Sequence, residues 1–70
     1  MSQSYPIRIG ERVAVIQRTK TVSNVLPAGI RATVIALYRN GQHYAIEILD
    51  APLKGAIATV GAETIQSVST

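Results

Sequence analysis

The feature that most constrains the fold is the dipeptide Asn40-Gly41, which lies between two apolar runs, RATVIALY (31–38) and HYAIEIL (43–49). Asn-Gly between alternating apolar residues is the strongest short-range signal for a β-hairpin, because a type I′ turn needs a positive φ at both central residues. The β-branched and aromatic residues in both runs also favour strands. The sequence therefore predicts a tight antiparallel hairpin at the centre of an all-β domain.

A two-residue turn at this point also sets the register of the hairpin. It pairs five residues of the first strand with five of the second: Arg39 with Gln42, Tyr38 with His43, Leu37 with Tyr44, Ala36 with Ala45, and Ile35 with Ile46. Side chains alternate between the two faces of a strand. The register therefore predicts a core face made by Thr33, Ile35, Leu37, Tyr44, Ile46 and Ile48.

The opposite, outer face of this hairpin has an unusual composition. It collects the side chains that alternate with the core positions: Val34, Ala36, Tyr38, His43, Ala45 and Glu47. A half-exposed hairpin normally carries polar side chains there, whereas this face is mostly small and apolar. Soluble monomers rarely expose large contiguous apolar patches. We therefore predict an interface with a protein partner or with a second copy of the chain, and the candidate residues are Val34, Ala36, Tyr38, His43 and Ala45.

Short runs bounded by turn residues predict three more strands: ERVAVIQ (11–17), AIATV (56–60) and QSV (66–68). Residues 18–26 are polar with scattered valines and are typical of a long loop, which is followed by turn chemistry at 27–29. The segment GAETI (61–65) predicts a short helical turn. No apolar pattern of helical period persists for three turns, so no long helix is expected.

Five short strands, a long first loop and a helical turn before the last strand predict a small SH3-like barrel. An OB-type barrel is the alternative, although OB domains usually run longer and carry a full helix. A chain of 70 residues makes one domain. We therefore expect a single domain over residues 1–70, with residues 1–8 as a flexible N-terminal segment.

The order of short motifs along the chain resembles an uncharacterised family of short bacterial SH3-like proteins. The motifs are IGERVAVI (9–16), LPAGIRATVIAL (26–37), NGQHYAIEILD (40–50), IATV (57–60) and ETIQSV (63–68). The family typically has glycine where this chain has Ala32, and a charged residue where it has Ala36 and Ala45. The resemblance implies the SH3-like fold. It implies no activity, because the family has no established one.

The composition bounds the kinds of partner and the compartment. The chain is 47% hydrophobic with only 16% charged residues, which is apolar for so small a domain and suggests a partner. It has no cysteine, so neither a disulfide nor a thiolate metal site is available. The first residues lack the pattern of a signal peptide, and no apolar run approaches the ~20 residues of a membrane span. A soluble, cytoplasmic protein is expected.

The net charge of +3 is unevenly distributed along the chain. Residues 1–40 carry six Lys and Arg against one Glu (6 − 1 = +5), and residues 41–70 carry one Lys against three acidic residues (1 − 3 = −2). The candidate basic patch consists of Arg18, Lys20, Arg31 and Arg39. This patch predicts nucleic-acid binding as the alternative function. It is also compatible with binding of an acidic protein partner, or with side chains that are only solvated. Few tyrosines are available as stacking platforms for bases.

Catalysis is not expected from this sequence. The chain has one histidine, four carboxylates and no thiol, and its glycines are scattered as turn formers. His43 flanks the hairpin turn, where we expect an exposed side chain opposite Tyr38. We predict a non-catalytic protein–protein interaction module, as a small accessory subunit or a self-associating barrel, without a cofactor, a metal or a small-molecule substrate. A regulatory role, such as an antidote to a partner protein, is a weaker hypothesis.

Overall fold

A computed structural model of the protein describes residues 7–39 and 42–68, and this part of the chain is all-β. Seven strands lie within these residues: β1 (Arg12–Val15), β2 (Thr19–Lys20), β3 (Val25–Leu26), β4 (Arg31–Tyr38), β5 (His43–Ile48), β6 (Ile57–Gly61) and β7 (Ile65–Ser67). A single turn of 3₁₀ helix, Ala62–Thr64, joins β6 to β7. Among the described residues, no helix has the length and apolar character needed to cross a membrane.

Five of the strands form one antiparallel sheet in the order β6-β5-β4-β1-β7, and they correspond to the five predicted from the sequence. The predicted long loop contains a second, small sheet formed by β2 and β3. Thr21 closes this hairpin, because its N–H donates to the Asn24 carbonyl at 2.7 Å and its hydroxyl accepts from the Asn24 N–H at 3.1 Å. Each of these two strands is only two residues long, too short for an alternating pattern to show in the sequence.

The central hairpin has the predicted register close to its turn and a different register farther away. Tyr38 is opposite His43, and the next two pairs toward the strand interior also match the prediction. The register then shifts between Val34 and Ala36, so that Val34 faces Ile46 and Ile35 is the extra residue of a β-bulge. The predicted Asn40-Gly41 turn lies outside the described residues.

The bulge corrects the predicted faces of β4. Val34 is completely buried in the core, so its predicted place on the outer face is wrong. Ile35, which was expected in the core, is 37% exposed. Leu37 keeps its predicted position opposite the buried Tyr44, on the turn side of the bulge, but is 38% exposed near the end of β4. One inserted residue moves every side chain beyond it to the other face of the strand. The side of Val34 and Ala32 is therefore the core side in the first half of β4.

The core lies on the inner side of the curved sheet. Its largest fully buried side chains are Tyr44, Leu26, Ile46, Ile48, Val13, Val15 and Val34. The Tyr44 hydroxyl accepts a hydrogen bond from the backbone N–H of Ile7 at 3.2 Å, and Ile7 itself is buried. Ile7 belongs to the segment expected to be flexible, and residues 1–6 of that segment lie outside the described residues.

The 3₁₀ turn connects two parts of the sheet that are distant in strand order. The N–H of Ala62 donates to the Gln42 carbonyl beside β5, and the Thr64 carbonyl accepts from the N–H of Ile16 after β1, both at 2.9 Å. The Thr64 hydroxyl donates to the Gly61 carbonyl at 2.7 Å and holds the turn against the end of β6. These contacts draw the β6 side of the sheet toward its β1–β7 side.

Candidate functional site

The outer surface of β4, β5 and β6 is the side of the sheet opposite the core. The observed register places Ala36, Ala45 and Thr59 in one row across the three strands, with Tyr38 and His43 in the row nearer the hairpin turn. A further row holds Thr33, Glu47 and Ile57. We use the name outer surface for the following residues: Ala36, Tyr38, His43, Ala45, Ile57 and Thr59.

The outer surface exposes large apolar side chains, and the exposed Glu47 lies beside Ile57 on the same side of the sheet. Tyr38 is 49% exposed and Ile57 is 59% exposed, although both are large hydrophobic residues. Ala45 is almost fully covered because it is small and lies on the central strand between the side chains of its two neighbours. Exposed apolar area of this kind is typical of an interaction surface when it is contiguous.

Four of the five interface residues predicted from the sequence lie on this surface, namely Ala36, Tyr38, His43 and Ala45. Val34 does not, because the bulge turns it into the core. Sequence reasoning missed Ile57. In the segment AIATV, Ile57 and Thr59 alternate with Ala58 and Val60, but only the pairing of β6 with β5 shows which pair of side chains points outward.

The basic residues predicted as a patch are not equivalent in the structure. The Arg31 guanidinium binds Asp50 with an N–O distance of 2.9 Å, and the Arg31 backbone N–H donates to the same carboxylate, also at 2.9 Å. The side-chain and backbone hydrogen bonds from Arg31 hold the pKa of Asp50 below its usual range, and the same contact raises the pKa of Arg31. Arg31 is thus committed to an intramolecular ion pair.

The other three basic candidates are exposed. Arg18 and Lys20 belong to the segment that enters the small hairpin, and Arg39 follows the last residue of β4. No described residue forms a salt bridge with any of the three. These three cations are therefore open to solvent, whereas Arg31, although its side chain is 60% exposed, is paired with Asp50.

The acidic residues of the described chain include two with structural contacts. Glu11 accepts hydrogen bonds from the backbone N–H of Arg8 at 3.0 Å and from the Ser67 hydroxyl, and these contacts lower the pKa of Glu11, the first more than the second. Asp50 is held by Arg31. Within residues 7–39 and 42–68, no three His, Cys, Asp or Glu side chains lie close enough together to hold a metal ion.

A shallow groove of about 170 Å³ runs along one edge of the sheet. Its walls are the tip of the small hairpin, Thr21–Ser23, and residues 57–59 of β6. It is smaller than the ~300 Å³ typical of a small-molecule site.

Comparison of the chain with protein-family models, with curated proteins and with solved structures found no match.

Proposed function

We propose that this protein is a non-catalytic protein–protein interaction module and that its outer surface is the binding surface. The observation that carries the proposal is the juxtaposition of Tyr38, Ile57 and the alanine row Ala36 and Ala45 on the outer side of one three-stranded segment. Burial of exposed apolar area is the main driving force of most protein association. The small side chains of Ala36 and Ala45 let a second surface approach β4 and β5 closely, while the exposed Tyr38 and Ile57 supply larger contacts.

The fold we propose for this module is a small SH3-like barrel. Three features support it: the strand order β6-β5-β4-β1-β7, the bulge in the long strand β4, and the 3₁₀ turn between the last two strands. Bulges bend a strand and increase its twist, which allows one strand to serve both halves of a curved sheet. The resemblance to the family of short bacterial SH3-like proteins is part of the same proposal.

Two observations favour a binding role over an enzymatic one. The carboxylates of Glu11 and Asp50 both serve the fold through hydrogen bonds to neighbouring segments. His43 is exposed beside the hairpin turn, on the outer surface itself, where a polar side chain can set the specificity of an apolar contact.

The experiment that tests the proposed function compares three proteins: the wild type, Ala36→Glu, and the control Gln66→Glu on β7. Each tagged protein is used for affinity capture from its native extract with nuclease treatment, and its self-association is followed by sedimentation velocity. We expect a stoichiometric protein partner or a dimer for the wild type and the control, and loss of that species for Ala36→Glu. An Ala36→Glu variant that folds and associates like the wild type would refute the assignment of the surface.

Nucleic-acid binding is the second candidate function, and the observation in its favour is the exposure of Arg18, Lys20 and Arg39 without described ion-pair partners. It predicts RNA or DNA binding that weakens steeply as salt is raised, because phosphate contacts release counterions. Substitution of the three cations by glutamine would abolish this binding. No measurable binding at about 50 mM salt would remove the hypothesis, since electrostatic contacts are strongest under these conditions.

A further inference from the structure

The free edge of β6 has the geometry to pair with another strand. Among the described residues, β6 pairs with β5 on one side and with no strand on the other. The hydrogen bonds from Ile48 N–H to the Ala56 carbonyl and from Ala62 N–H to the Gln42 carbonyl fix which residues face β5. In an antiparallel ladder these positions alternate. The backbone N–H and C=O groups of Ile57, Thr59 and Gly61 therefore point away from β5.

Two of the features that normally protect edge strands, charged residues and prolines, are missing from β6. Proteins block such edges with charged residues, prolines or a covering segment, and the sequence of β6, IATVG, has neither charge nor proline. The tip of the small hairpin stands beside the strand but leaves the groove along residues 57–59 open. Val22 at this tip is fully exposed, with a relative accessibility of 105%. A strand paired with this edge would lie beside the hairpin tip that carries Val22.

We propose that the occupant of this edge is β6 of a second copy of the chain. A two-fold axis through Thr59 aligns the two strands antiparallel, with Thr59 opposite its symmetry mate and Ile57 opposite Gly61 of the other copy. Ile57 and Thr59 present their backbone N–H and C=O groups at this edge, which puts the pairing in register, while the Gly61 carbonyl also accepts a hydrogen bond from the Thr64 hydroxyl. Thr–Thr is a favourable cross-strand pair.

Charge complementarity favours a second copy over an unrelated strand. Lys54 precedes β6 and Glu63 follows it, both are exposed, and neither forms a salt bridge with a described residue. The Glu63 carboxylate lies against Gly61 at the end of the strand, so that a Cβ added to Gly61 would come within 2.6 Å of it. Antiparallel two-fold pairing brings the start of one β6 beside the end of the other. It therefore places Lys54 of each copy near Glu63 of its mate.

The pairing also extends the proposed binding surface, on whose existence this inference rests. Ile57 and Thr59 belong to the outer surface as well as to the free edge. A two-fold axis perpendicular to the sheet keeps the outer surfaces of both copies on the same side. The dimer would thus present the two outer surfaces side by side, with the row of Ala36, Ala45 and Thr59 repeated in reverse order across the junction.

The first test is sedimentation velocity over a wide concentration range for the wild type, Thr59→Lys and the control Gln66→Lys on the other edge strand. We expect the wild type and the control to dimerise. Thr59→Lys should raise the dissociation constant about tenfold or more, because like charges would face each other across the axis. A monomeric wild type, or a Thr59→Lys variant that dimerises normally, would overturn the proposal. Circular dichroism verifies that each variant is folded.

The second test uses the absence of cysteine from the chain. The pairing places Thr59 about 5.5 Å from its mate between Cα atoms, within the range that a disulfide spans. Under mild oxidation Thr59→Cys should form a covalent dimer and the control Gln66→Cys should not. Equal cross-linking of both variants would show random collision and contradict the proposal.

The two proposals fail in distinguishable ways. A monomer that captures another protein through the outer surface would overturn the β6 pairing and leave the proposed function standing. A β6 dimer that Ala36→Glu does not affect, and that captures nothing, would confirm the pairing and refute the outer surface as a binding site.

The charge reversal Lys54→Glu should weaken the dimer several-fold, and the double variant with Glu63→Lys should restore it; a failure to restore would exclude this register.

Discussion

Val34 lies directly opposite Ile46 across the central hairpin, and both side chains are completely buried. The pair exists because Ile35 is the extra residue of a bulge. Without the bulge, Ile46 would face Ile35 and Val34 would point to solvent. The bulge thus decides which branched side chain of β4 enters the core.

This pairing predicts opposite sensitivity at two adjacent residues. Val34→Thr keeps the shape of the side chain but buries a hydroxyl without a partner, which should lower the free energy of unfolding by about 1–3 kcal/mol. Ile35→Thr changes an exposed residue and should lower it by less than about 1 kcal/mol. Urea unfolding of the two variants measures the difference. The reverse order of stability would show that the bulge lies elsewhere.

Truncation at the centre of the core should be severe. Ile46→Ala removes three buried methyl or methylene groups and leaves a cavity, and we expect a loss of about 2–5 kcal/mol in the free energy of unfolding. That is a large share of the stability of a small domain. The measurement is denaturant unfolding at a fixed pH. A loss below about 1 kcal/mol would place Ile46 outside the core.

The hydrogen bond from Ile7 N–H to the Tyr44 hydroxyl predicts a local effect at the N-terminal side of the described chain. Tyr44→Phe keeps the ring in the core but removes the acceptor, so stability should fall by about 0.5–1.5 kcal/mol. Amide exchange at Ile7 should accelerate in the variant, whereas exchange at Ile48 in β5 should change only with global stability. Unchanged protection of Ile7 would show that another group satisfies its N–H.

The two hydrogen-bonded carboxylates predict an acid-sensitive fold. The pKa of Asp50 is lowered by hydrogen bonds from Arg31, and that of Glu11 by hydrogen bonds from Arg8 and Ser67. A carboxylate whose pKa is lower in the folded state stabilises the fold when the pH is above its unfolded-state pKa, which is near 4. This contribution is lost as the pH falls through the folded-state pKa. Stability measured by urea unfolding should therefore decline below about pH 5. The double variant Asp50→Asn, Glu11→Gln should lose less stability as the pH falls. An unchanged dependence of stability on pH would show that these two carboxylates do not cause the decline.

The local pattern of the chain determined the number of strands in the main sheet and their positions along the chain. Asn40-Gly41 with its apolar flanks predicted the hairpin, and the three pairs nearest the turn match because a turn dictates the register only of the residues next to it. Turn chemistry and strand-like runs likewise located β1, β6 and the 3₁₀ turn to within one or two residues. The outer surface was anticipated from Ala36, Tyr38 and Ala45, since alternation holds over short distances.

Only the tertiary structure decided where that alternation breaks. The bulge leaves Ile35 without a partner residue on β5. It forms at this position because Val34 and Ala32 pack into the core. Packing of β4 against β1 and β5 sets this choice, rather than the sequence of β4 itself. Packing between distant segments also placed Ile57 on the outer surface, committed Arg31 to Asp50, and buried Ile7 beside Tyr44. Each of these contacts joins residues at least ten positions apart. A periodic pattern in the sequence specifies which residues can share a face, whereas the partner across the sheet determines which face is buried.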